Sequence, residues 1–105
     1  MSVVIPTHNE ERHIGSLLSD VMGQTKKADE VIVVDADSED ETVSVVRRSP
    51  GVVLLAGAPP VAAGRNLGGR SASGDVLIFL DAEVRLGEDF FEGFRPVATD
   101  AGTGV

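Results

Sequence analysis

The sequence predicts a single α/β domain: a parallel sheet of about four strands with helices on both faces. Three observations carry this. Apolar β-forming runs alternate with amphipathic segments along the chain, the order that builds a parallel sheet through right-handed crossovers. The run "VIVV" at 31–34 is unbroken, as in strands buried on both faces. At 105 residues the chain has room for one core, so it is read as one domain over 1–105.

Each element follows in order. Residues 2–5, "SVVI", form a short first strand that Pro6 is expected to stop, because proline cannot donate to a central ladder. Over 10–24, Ile14, Leu17, Leu18, Val21 and Met22 recur at helical spacing. "THNE" before them has capping-box form, with Thr7 as N-cap and Glu10 three residues on. Residues 30–35 are the second strand. Ser38 and Glu41 repeat the capping pattern and open a helix over 39–48, with Val43 and Val46 facing in. A third strand covers 51–57. Residues 61–73 read as helix despite three glycines, and 74–81 as the fourth strand. A short helix is expected near 87–94, and 95–105 lacks periodicity and reads as a frayed tail. The predicted sheet order is 3-2-1-4.

Composition excludes several function classes. There is no cysteine, so disulfides and thiolate metal sites are out. The two histidines, His8 and His13, are too few for a histidine-based zinc site. A net charge of −8 repels a phosphate backbone, so nucleic acid is not expected as a partner. The acidity fits a salt-adapted cell as well as it fits an ordinary soluble surface. No basic leader opens the chain and no run approaches the ~20 apolar residues of a membrane span. A soluble, cytoplasmic protein is the expectation.

Acid collects where strands end. Asp35, Asp37, Glu39, Asp40 and Glu41 follow the second strand, and Asp81 and Glu83 close the fourth. In a parallel sheet these ends share one edge, where ligands bind near the switch in strand order. Asp81-Ala82-Glu83 offers two hard oxygen ligands that suit Mg²⁺ or Mn²⁺, ions that usually also hold phosphates; the plainer reading is a solvated turn. Asp35 can serve the turn's backbone donors, and Glu39, Asp40 and Glu41 the positive end of the next helix. Glu10 can be a capping partner only, and His8 an exposed loop residue. In "GRNLGGR" (64–70), Gly64 and Gly68 permit close packing, while Arg65 can reach a diphosphate. No strand is followed by G-x-G-x-x-G or a Walker loop.

Taken together, "SVVIPTHNEERHIGSLL", "EVIVVDADSEDET" and "AAGRNLGGRSASGDVLIFLDAEV" resemble, in order and spacing, the N-terminal half of family 2 glycosyltransferases. That group has the Rossmann-like GT-A fold and includes the dolichyl-phosphate sugar synthases. The resemblance covers roughly residues 2 to 92 and implies binding of a UDP- or GDP-linked sugar with Mg²⁺ or Mn²⁺. The family's P-T-Y-N-E loop implies nucleotide contacts from Pro6, Thr7, His8 and Glu10, with His8 in place of tyrosine. Its V-V-D-D-G-S-x-D-G-T segment implies nucleotide contact from Asp35; Ala36 stands at the second aspartate, so either Asp37, at the usual glycine, swings in to the base or a backbone group reads it. Its R-N-x-G segment implies Arg65. Its D-x-D becomes Asp81-Ala82-Glu83, implying Asp81 at the ribose or metal and Glu83 on the metal.

The resemblance also implies that the acceptor's general base lies in a C-terminal half beyond this chain. The expectation is therefore a truncated donor-binding half, inactive alone, that self-associates through uncovered apolar surface. Any membrane contact would come from the missing part. Two rivals stand beside it. One is a nonenzymatic nucleotide-sugar-binding or interaction module. The other is a Mg²⁺-dependent phosphatase of haloacid-dehalogenase type using Asp35 and Asp37.

Overall fold

A computed structural model describes residues 1–93; the predicted tail over 95–105 lies outside the described residues. The elements are β1 (Ser2–Thr7), α1 (Ile14–Met22), β2 (Glu30–Ala36), α2 (Thr42–Arg47), β3 (Val52–Gly57), α3 (Ala63–Ser71) and β4 (Leu77–Phe79), then a single 3₁₀ turn at Phe90–Gly93. The four strands form one sheet ordered β3-β2-β1-β4, and all three pairings are parallel. Both the α/β class and the strand order match the sequence reading.

Strand alternation divides the core. Val3, Ile5, Val31 and Val33 point to one face, where they pack with Ile14, Leu17, Leu18 and Val21 of α1 and Val46 of α2. Val4, Ile32 and Val34 point to the other, joined by Leu55, Leu67 and Ala72. Because successive side chains of a strand face opposite sides, an unbroken apolar run is what a doubly covered strand requires. Gly64 and Gly68 let α3 lie close to the sheet. A Cβ on Gly68 would fall 2.3 Å from Val4 Cγ1, and one on Gly64 would fall 3.3 Å from Val34 Cγ1.

The chain leaves β1 towards β2 and β3, then returns to place β4 on β1's other side. The strand order therefore reverses between β1 and β4, where parallel sheets open a ligand crevice.

Several boundaries differ from expectation. Pro6 does not stop β1; it sits within it, opposite Val34. Ser2 N–H donates to Val76 and Leu80 N–H to the carbonyl of Val4, so even-numbered residues of β1 address β4. Pro6 shares that parity, and β4 has ended at its level, so no ladder bond is lost. Thr7 is a strand residue and caps nothing. Residues 11–13 form a turn, and α1 starts at Ile14 with no side-chain cap.

The second capping pattern fails likewise, since Ser38 bonds Asp35. It is Asp40 that meets Thr42, accepting from its N–H (2.9 Å) and its hydroxyl. The α2 helix is thus shorter than predicted, with Val46 buried and Val43 half-buried. β4 is only three residues long. None of the described helices is long and apolar enough to cross a membrane.

Candidate functional site

Two loops at the carboxyl edge are laced together. Asn9, with φ of 53°, reverses the chain after β1, and amide side chains tolerate that left-handed conformation. Its N–H donates to Ser38 Oγ (2.8 Å), and its Oδ1 accepts from Glu39 N–H (2.8 Å). Glu10 N–H donates to Thr42 Oγ1 (2.8 Å), and Glu11 N–H to Asp40 (3.2 Å). The His8 ring meets the carbonyl of Ala36 through Nδ1, which makes Nδ1 the protonated nitrogen. Asp37 has φ of 51°, the left-handed backbone a glycine would take at that position, and its side chain is exposed.

Asp35 is held on both oxygens. Thr7 Oγ1 donates to Oδ1 (2.8 Å), Ser38 Oγ to Oδ1 (2.6 Å) and Ser38 N–H to Oδ2 (2.9 Å). This buried carboxylate ties β1's end to β2's. An attacking phosphatase nucleophile needs a free oxygen, so the Asp35–Asp37 phosphatase reading gains no support. Glu30 belongs elsewhere: at the opposite end of β2 it accepts from Ser2 Oγ (2.7 Å) and from Ser73.

The crevice at the strand-order reversal is a cleft of about 410 Å³ lined by Pro6, Glu10, Arg65, Asp81 and Glu83, with Val61, Ala62 and Ala82. Five predicted site residues thus meet. Thr7 is buried beneath this edge; Asp35 and Asp37 instead line a smaller hollow of about 230 Å³ beside Arg47 and Leu55. Arg65 Nη2 pairs with Asp81 Oδ1 at 3.2 Å. Burial, then Glu83, and also Asp40 and Asp81, raise the Glu10 carboxyl above its ordinary value, while His13 pulls it down. Glu10, His13 and Glu83 each bring one ligand atom within 4.8 Å of the others.

Sequence reasoning gave Asn9 no role within its loop and missed His13 as a member of this edge. The chain reversal at Asn9 could have been suspected from its residue type. His13 had no local signal, since its neighbour Glu83 is distant in sequence.

The profile of "Glycosyl transferase family 2" matches residues 2–105. The chain belongs to that family. Among curated relatives, Glycosyltransferase AglE of Haloferax volcanii is 34% identical, over 100% of this chain and 36% of that protein. Solved structures with the GT-A fold superpose on it. TarS residues 1–349 of S. aureus, solved in complex with UDP-GlcNAc, gives a TM-score of 0.74 at 26% identity, covering 88% of this chain and 29% of that one. The mannosyltransferase PcManGT of Pyrobaculum calidifontis, in complex with GDP-Man and Mn²⁺, gives 0.68 at 32% identity, covering 80% and 27%. The chain thus spans about a third of the length of these proteins.

The edge also fits a divalent cation. Carboxylate oxygens from Glu10 and Glu83 with a His13 nitrogen form a donor set that a divalent metal ion can take.

Proposed function

We propose that this chain binds a nucleotide-diphosphate sugar, UDP- or GDP-linked, as the donor-side part of a glycosyltransferase. One observation carries the reading: Pro6, Glu10, Arg65, Asp81 and Glu83 converge in one cleft at the reversal of strand order. Family membership and the nucleotide complexes of TarS and PcManGT support it.

The roles follow from chemistry. Arg65 presents a guanidinium whose fork suits a diphosphate, and its pairing with Asp81 orients it across the cleft. Pro6 supplies a rigid apolar wall, and the laced loops around His8 and Asn9 hold the nucleotide-side rim. Asp81 and Glu83 offer hard oxygens for Mg²⁺ or Mn²⁺. Such an ion, when bound, neutralises a departing diphosphate. The acceptor-side base is proposed to come from outside residues 1–105, and the protein to act in the cytoplasm.

Calorimetric titration of UDP and GDP, with and without Mn²⁺, tests the reading. Metal-dependent nucleotide binding that Glu83→Gln weakens is expected. Equal affinity with and without Mn²⁺, or an unaffected Glu83→Gln protein, would remove it.

A further inference from the structure

We propose that Glu10 and His13, at the entry to α1, complete a three-ligand cation site with Glu83, and that this site prefers Mn²⁺ to Mg²⁺. The inference rests on the donor-binding reading and names two ligands for its cation.

The geometry is near that of a formed site. One ligand atom from each residue lies within 4.8 Å of the others. An ion about 2.1 Å from each ligand holds neighbouring ligands about 3 to 4 Å apart, so small side-chain rotations close the set. Glu10 and His13 are already fixed relative to one another. The carbonyl of Glu10 accepts from His13 N–H (3.0 Å) and Ile14 N–H (2.9 Å), and residues three apart in such a turn share a face. Glu10's own N–H is anchored on Thr42.

Glu83 arrives from the other side of the crevice. Its neighbour Asp81 is engaged by Arg65, so Glu83 is the acid of the Asp-Ala-Glu triplet left to face Glu10 and His13. Glu10 stands among Glu83, Asp40 and Asp81, an excess of negative charge that a divalent cation relieves. His13 and Glu83 are exposed, which keeps the remaining coordination positions open to water or a diphosphate.

The imidazole sets the metal preference. Mg²⁺ takes oxygen ligands and dehydrates reluctantly, whereas Mn²⁺, a first-row transition ion of softer character, also accepts an imidazole nitrogen beside carboxylates.

The test uses the full 105-residue chain with ¹⁵N-labelled histidine. Pulsed electron paramagnetic resonance on the Mn²⁺ complex reads nitrogen coordination directly, and calorimetry reads Mn²⁺ and Mg²⁺ affinity with UDP absent and present. Expected are a histidine coupling that disappears in His13→Gln, and Mn²⁺ affinity at least tenfold weaker in folded His13→Gln and Glu10→Gln proteins. The Mn²⁺-over-Mg²⁺ ratio should also shrink in His13→Gln. Mn²⁺ binding that Glu83→Gln weakens, with no histidine coupling and unchanged affinity in the other two variants, overturns this inference and leaves the donor reading intact. A chain that binds neither Mn²⁺ nor UDP overturns both.

Discussion

Thr7 on β1 donates its hydroxyl to the buried carboxylate of Asp35 on β2, 2.8 Å away, at the last paired position of the two strands. The bond ties the two strand ends together at the carboxyl edge of the sheet. Thr7→Val keeps the shape and deletes the donor. Because the buried carboxylate then loses a partner, a stability loss of about 1–3 kcal/mol is expected. Urea denaturation of folded wild type and variant measures it, and an unchanged midpoint would contradict the role given to this pair.

Adjacent glycines of α3 should respond oppositely. Gly68 touches the sheet, and a Cβ there would fall 2.3 Å from Val4 Cγ1, on a residue with no room to move. Gly68→Ala is expected to destabilise by ~1–3 kcal/mol through overpacking. At Gly69 the nearest atom is Phe79 Cζ at 3.7 Å, so Gly69→Ala should be neutral or stabilising by up to ~1 kcal/mol from helix propensity. Thermal melts of the two variants decide, and the same sign for both would be the wrong result.

Asp20 of α1 grips the segment beyond Glu83. It accepts from Arg85 Nε (2.7 Å), Arg85 Nη2 (3.1 Å) and Leu86 N–H (3.0 Å). The Arg85 bonds, then the Leu86 N–H, hold its carboxyl below the ordinary value of 3.8. The folded state thus favours the ionised form. Its stabilisation is fully present above pH 3.8 and fades as pH falls through the depressed folded value. Asp20→Asn should cost roughly 1 kcal/mol or less at neutral pH, since Arg85 is largely exposed. That difference should vanish in acid. A gap that widens on acidification would reverse the sign argued here.

β4 leaves Leu77 43% and Phe79 41% exposed on a strand that ends the sheet among the described residues. Open edges with apolar side chains pair with other chains. Concentration-dependent self-association is expected, and Phe79→Lys should suppress it. Light scattering across a dilution series gives the answer; a monomer at every concentration would exclude this route.

The parts of the fold written locally were readable in the sequence. Val31–Val34 announced a doubly covered strand, and Ile14, Leu17, Leu18 and Val21 announced α1's buried face. The errors came where another residue claims the same group. Thr7 looks like a helix cap until Asp35 claims its hydroxyl, and Ser38 looks like one until the same carboxylate takes it. Pro6 looks like a stop until β4 ends short of it. At the site, Asp81 and Glu83 were legible as a pattern because they are two residues apart. His13 was not, because its place beside Glu83 exists only once β4 lies against β1.

That same placement has a kinetic consequence. β1 sits at the middle of the sheet, yet its partners are remote: Ser2 must meet Glu30 on one side and Leu77 on the other. Closing such long loops precedes any reward from contacts, which slows folding. A partly folded chain holding β1, β2 and β3 would carry the Thr7–Asp35 bond but no cleft, since Asp81 and Glu83 arrive only with β4. A ligand of the cleft would therefore slow unfolding without speeding the first steps of folding, acting as a latch on the last strand to dock.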